Sequence, residues 1–317
     1  PNDKLIEEIN ALQPGHALYE NDTLLALNSG SMSFENALAA VKRFESHAKP
    51  ILVFNLWDIF SKNGEAIQED FNLLTKGRNS LALSKTNQVL GIENIFIEEG
   101  AKIECAILNA TTGPIYIGKD AEIMEGSIVR GPFVLGEHST LKMGAKIYGP
   151  TTVGPHCKVG GEVNNSVFFA YSNKGHDGFL GNSVIGEWCN LGADTNNSNL
   201  KNNYASVKLW NYGKEKFIDT GLQFCGLIMG DHSKCGINTM FNTGTVVGVN
   251  ANIFGDGFPR NFIPSFSWGG AAGFTTYKLK DAFEVAEKVM ERRGITLEET
   301  DKEILAAIFE ITEKNRR

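Results

Sequence analysis

A chain of 317 residues with 42% apolar content is long enough for one large or two ordinary domains with a sizeable core. The net charge of −7 comes without clustered Lys and Arg, which argues against a nucleic-acid partner, since phosphate neutralisation needs such clusters. Five cysteines, odd in number and without a CxxC pair, fit buried reduced thiols rather than a disulfide framework or a zinc site and predict a cytoplasmic chain. No apolar run approaches the ~18 residues of a membrane span and no signal pattern opens the chain, so no membrane partner is expected.

The chain begins on proline and runs straight into "NDKLIEEINAL", a helix-like start that suggests that the beginning of a larger protein is missing. Residues 1–96 read as a partial α/β region. "HALYENDTLLALN" (16–28) is strand-rich, "FENALAAVKRF" (34–44) has helical spacing, "PILVFN" (50–55) reads as a buried strand and "IQEDFNLLTK" (67–76) as a helix.

Residues 97–255 carry a repeat. Every sixth residue from Ile117 to Val159 is aliphatic (Ile117, Ile123, Val129, Leu135, Leu141, Ile147, Val153, Val159), and a mostly small residue follows four places on, from Ala121 to Val163. A second run reads Met229, Cys235, Phe241, Val247, Ile253. A short one, Phe179, Ile185, Leu191, lies between them. Gly113-Pro114, Gly131-Pro132 and Gly149-Pro150 recur 18 residues apart, so three hexads make one coil. Three short strands and three corners per coil predict a triangular prism of stacked parallel strands with the sixth residue inside. The spacing leaves the hand of the coil open. In residues 256–317, Leu279, Phe283, Ala286, Val289 and Met290 share one helical face. Gly294 ends that helix, and Thr296 with Glu299 reads as a capping box for a second helix bearing Ile304, Leu305, Ile308 and Phe309. Flat strand faces need covering, and closed symmetry is the usual means, so a homotrimer is expected.

"KGHDGFLGNSVIGEWCNLGADT" (174–195), with the Asn-rich loop after it, resembles the left-handed β-helix acetyltransferase domain of the bifunctional GlmU enzymes. "FNLWDIFSKNGEAIQEDF" (54–71), "GDHSKCGINTMFNTGTVVGVNANIFG" (230–255) and "FIPSFSWGGAAGFT" (262–275) are more closely similar to GlmU-like sugar nucleotidyltransferases. The resemblance implies a mainly β chain built on a left-handed parallel β-helix. It also implies an enzyme of nucleotide-sugar metabolism, acting on a sugar phosphate or nucleotide sugar. The glycine-rich LxxGxGTRM-type motif of the nucleotidyltransferase site is absent, so no residue can be assigned to that activity, which would use magnesium.

Acyl transfer from coenzyme A needs a base, a donor for the oxyanion and two positioned substrates. The resemblance makes His176, ahead of Leu180-Gly181, the catalytic base, and a neutral imidazole suits that task. It places Asn190 and Asn199 where amino-sugar phosphate and acyl group bind, although asparagine also fills solenoid corners. Gly192 and Ala193 would offer a backbone N–H to the carbonyl of bound acetyl-CoA. Lys142 takes the approximate place of a phosphate-pairing arginine, with a solvated lysine as the alternative. Two departures stand out: Phe179 replaces a substrate-facing tyrosine, and "VNNS" (163–166) replaces a lysine pair. The loop "NNSNLKNNYASVKLWNYGKEKF" (196–217) either closes over a sugar phosphate or nucleotide, reaches a neighbouring subunit, or is simply solvated. Asp120, His138 and His156, 18 residues apart, would stack on one corner, but they point outward and not towards a shared centre, so no metal is assigned. The leading reading is an acyltransferase and the second a sugar-1-phosphate nucleotidyltransferase that uses its β-helix as a trimerisation or regulatory scaffold; a non-catalytic scaffold and a zinc enzyme are the remaining alternatives.

Overall fold

The computed structural model describes residues 3–316. The chain divides into two compact units, Pro1–Phe54 and Asn55–Arg317, so the break falls inside the 1–96 segment.

In the first unit, helix α1 (Asp3–Asn10) precedes an antiparallel pair, His16–Glu20 with Thr23–Asn28, and helix α2 (Phe34–Ala39) follows. Ser33 starts α2 by accepting the Asn36 N–H. The helical spacing of 34–44 holds only to Ala39. Lys42–Glu45 instead pairs parallel with His16–Tyr19, where its backbone groups are satisfied by the sheet. Ala17, Leu18, Tyr19 and Ala37 are the buried residues of this small layer. "PILVFN" is not a buried strand: it adopts no strand structure, and Val53 and Phe54 are 57% and 66% exposed.

The second unit is a parallel β-helix with three faces. Face 1 runs from Gln88–Leu90 through Lys146–Tyr148 and Glu162–Asn164 to Phe179–Gly181. Face 2 runs from Ile95–Ile97 to Phe262–Ile263, and face 3 from Lys102–Ile103 to Ser267–Gly270, closed by antiparallel Gly273–Thr276. The hexads produce this shape directly. Ile117, Leu135 and Val153 stack in register, as do Ile123, Leu141 and Val159, and all six are at most 1% exposed. Each contributes about 1.5–3 kcal/mol of apolar burial, offset by the entropy of ordering its short strand.

Two registers differ from the sequence reading. Val163 is an inward aliphatic opposite Ile147, not a small corner residue, because the corner before it, Gly160–Gly161, lacks two residues. Phe179 lies on the outside of face 1, and Leu180 takes the interior place opposite Val163.

Helices α3 (Asp58–Ser61) and α4 (Asn63–Thr75) lie on face 2. Asn63 donates to the Pro150 carbonyl and accepts from the Thr152 hydroxyl, while Phe60 packs with Val167, Val184 and Val246. The segment after Asn197 forms a hairpin, Lys208–Asn211 with Lys216–Asp219, that joins the same apolar layer through Leu209. Helix α5 (Leu279–Glu291) packs Ala286 and Met290 on Trp188, and α6 (Glu299–Ile311) packs Leu305 near Phe266. The capping box of α6 is formed by Glu298 with Asp301 rather than by Thr296 with Glu299. All five cysteines are free thiols.

Candidate functional site

The corner between faces 3 and 1 is two residues long at Gly160–Gly161 and four residues long one coil on, at 175–178. The shorter corner leaves room for the longer one, and Gly161 is what permits their contact. It has φ +71°, and a Cβ there would lie 2.9 Å from the His176 carbonyl oxygen and 2.8 Å from that of Gly178. His176 is carried outward on this turn, exposed, and among the described residues its ring has neither a hydrogen bond nor an ion pair.

The turn borders a cavity of about 730 Å³. Five of the residues singled out from sequence meet there: His176, Lys142, Asn190, Gly192 and Ala193. The N–H of Gly192 is spent on the Cys235 carbonyl in the ladder, whereas that of Ala193 has no partner among the described residues and is available to a carbonyl oxygen. Phe179 and Asn199 do not line this cavity. They meet beside Gly181 on the outside of face 1, where the Asn199 amide donates to Asn182.

Four basic residues of the cavity escaped the sequence reading. Lys158 and Lys234 project from face 3, and Arg292 and Arg293 come from the C-terminal end of α5. Arg293 donates to the Asn173 side chain at 3.3 Å. With Lys142 this makes five cations and no carboxylate in the lining. Burial lowers the Lys234 pKa, and its ammonium donates to the His232 carbonyl. Burial pushes the Cys189 thiol up to about 12, so it is no nucleophile at neutral pH.

One wall is aromatic. The corner between faces 2 and 3 stacks His138 on His156, His156 on Tyr171 and Tyr171 on Trp188, with ring centroids 4.9, 4.7 and 4.1 Å apart. Each of these residues has φ near +55°, which aligns them along the solenoid. Burial and the neighbouring His138 lower the His156 pKa. Asp120 Oδ2 lies 3.8 Å from His138 Nδ1, but parallel stacked rings do not converge on a centre. Among the described residues no group of three or more His, Cys, Asp or Glu is arranged to hold a metal. No helix of the described residues is long and apolar enough to cross a membrane.

Among solved structures, the chain is similar to a UDP-N-acetylglucosamine acyltransferase from Bacteroides fragilis: 14% identity, 72% of this chain and 84% of that one, TM-score 0.35. It is similar to a Bacillus cereus acetyltransferase over 66% of this chain and 99% of that one, at 12% identity and TM-score 0.35. It is also similar to a variant of AntD, an N-acyltransferase from Bacillus cereus in complex with dTDP and coenzyme A (14% identity, 68% and 100% coverage, TM-score 0.27). No curated protein matches the sequence. Residues 1–79 match the model of the sugar nucleotidyl transferase family, and the parallel β-helix begins with the strand at Gln88.

Proposed function

We propose that the chain is a transferase of nucleotide-sugar metabolism, moving an acyl group from coenzyme A to an amine or hydroxyl of a sugar phosphate or nucleotide sugar. One observation carries this reading: the cavity beside His176 is lined by five cations and no carboxylate, which suits a ligand bearing several phosphates. Coenzyme A and a sugar phosphate or nucleotide sugar are both ligands of that class.

In this reading His176 takes the proton from the attacking amine or hydroxyl as the new bond to the acyl carbon forms. The free N–H of Ala193 steadies the oxyanion, and the intermediate then expels the thiolate of coenzyme A, which leaves as the thiol once protonated. Asn190 holds the sugar, and Lys142, Lys158, Arg292 and Arg293 hold phosphate. Phe179 and Asn199, outside the cavity, would touch substrate only where a second copy brings its own surface to this corner. The exposed apolar side chains of face 1, the paired Ile107 and Ile128 with Leu90 apart from them, are consistent with such a closed homotrimer. The unpaired, mostly buried thiols fit a cytoplasmic protein.

The match of residues 1–79 favours a second reading, in which the chain serves a sugar-1-phosphate nucleotidyltransferase, with magnesium, and the β-helix is a scaffold. The two readings are separable in one assay. Acetyl-CoA-dependent thiol release, lowered about a hundredfold or more by His176→Ala, supports the first. Pyrophosphate release from a nucleoside triphosphate and a sugar 1-phosphate, without thiol release, overturns it in favour of the second.

A further inference from the structure

The interior column of face 3 reads Leu141, Val159, Lys174, Leu191, Cys235. Lys174 is the one charged member of that series and is only 1% exposed. An ammonium in an aliphatic core is among the least favourable choices a sequence can make, and methionine would occupy the same space. Departures from a local rule of this kind concentrate at functional sites.

The position of its hydrogen bonds indicates what the lysine does. Lys174 Nζ donates to the Gly160 carbonyl at 3.1 Å and to the His176 carbonyl at 2.8 Å. These two oxygens belong to the short corner and to the long turn stacked on it. The ammonium therefore ties the turn that carries His176 to the coil beneath it. Among the described residues no carboxylate forms an ion pair with it, so its donors are directed to backbone alone. The turn is held by three further bonds: Glu162 N–H to the Gly178 carbonyl from the coil beneath, Phe179 N–H to Asn196 Oδ1, and Asp194 N–H to the Asp177 carbonyl.

We propose that Lys174 is a positioning residue: from inside the solenoid it clamps the His176 turn and so sets the direction in which the imidazole faces the cavity. As a statement about catalysis this rests on the transfer reading above. The clamp itself can be measured without activity.

The test compares wild type with Lys174→Met, which fits the aliphatic column and has no donor, by residue-resolved amide hydrogen exchange and acetyl-CoA kinetics. The Phe179 and Asp194 amides should exchange about tenfold faster or more while the coils before Val159 keep their protection. In turnover, kcat should fall about tenfold with little change in KM for acetyl-CoA, and Lys174→Met should cost nothing further in a His176→Ala background. Unchanged exchange at the turn, or equal acceleration in every coil, overturns the clamp. A Lys174-dependent turn in a wild-type protein that transfers no acyl group keeps the clamp and sinks the transfer reading. If Lys174→Met fails to fold, Lys174→Gln, which retains a shorter donor, is read by the same amides with a smaller shift.

Discussion

The coils from Ile115 to Val159 and the coil that follows them obey different rules. In the first region strands pair at a constant interval of 18 residues and the interior is uncharged, built of aliphatic or small residues and Phe133. In the next coil the interval between Val159 and its partner Lys174 is 15, the corner at 160–161 is short, and the interior holds a cation. Regular coils are near-interchangeable, each stabilised by the one above and below. The irregular coil gives up that redundancy, and its shortened corner, set against the four-residue turn that follows it, borders a recess with an imidazole at its rim. Geometry that departs from the repeat is thus where chemistry can be placed.

The comparison breaks most visibly in the regular half. Phe133 is fully buried between stacked neighbours, so Phe133→Ala should cost about 3–5 kcal/mol in chemical denaturation. Below its melting range that variant should still bind coenzyme A as wild type does, by calorimetry. A site lost along with the core would show that the two regions do not act separately.

Lys174 gives the next effect, and it depends on pH. Burial lowers its pKa from 10.5 to about 8 in the folded chain, with Asp177 and Asp194 opposing that shift. Between those values the unfolded chain binds the extra proton, so stability rises with pH from about 8 to 10.5 and is lost again as pH falls back towards 8. The gain is about 3 kcal/mol at most. Urea midpoints of wild type minus Lys174→Met should show that slope, whereas a flat difference would mean that the lysine is not held as described.

The two regions also differed in how far sequence could reach them. Ile117 to Val159 were readable because one residue class recurs where one environment recurs, and sixfold spacing leaves little ambiguity. The reading slipped at Val163 and Phe179, where an aliphatic or aromatic residue satisfies either of two registers and the missing corner residues cannot be seen in a residue-type pattern. Lys174 would have stood out as an interior lysine had the register been carried across that gap. Lys158 and Lys234 look like ordinary outward residues beside their hexads. Arg292 and Arg293 reach the cavity from a helix more than 100 residues downstream of His176, a proximity only packing creates. At the other end of the chain, Lys42–Glu45 has helical spacing but is claimed by an open strand edge, a tertiary preference overriding a local one.

A pair of glycines sharpens the comparison further. Gly144, in a regular coil, and Gly161, in the irregular one, both have φ +71°. A Cβ at Gly144 would meet nothing within 4 Å, whereas at Gly161 it would press on the His176 and Gly178 carbonyls and the Asp177 Cα. Gly144→Ala should therefore cost only the left-handed backbone penalty, about 1–2 kcal/mol, and leave ligand binding alone. Gly161→Ala should cost about that much again from displacing the turn, and should weaken coenzyme A binding beyond any loss of fold. Equal effects at the two positions would remove the argument that the short corner exists to seat the turn.

The smallest expected effect concerns the helix that borders the irregular coil. Among the described residues Arg293 makes one side-chain hydrogen bond, to Asn173, and with Arg292 forms the part of the cationic lining that does not come from the solenoid. Arg293→Gln keeps a donor for Asn173 but removes one charge of five, so coenzyme A binding should weaken up to about tenfold, or about 1.4 kcal/mol. Much of that loss should be electrostatic and shrink as salt is raised from about 0.05 to 0.5 M, because the side chain stands at an open rim where counterions compete. The same substitution should leave the urea midpoint within about 0.5 kcal/mol of wild type, as expected for a surface change. A salt-independent loss would assign Arg293 to shape instead, making α5 a wall of the cavity and leaving phosphate recognition to the lysines of face 3.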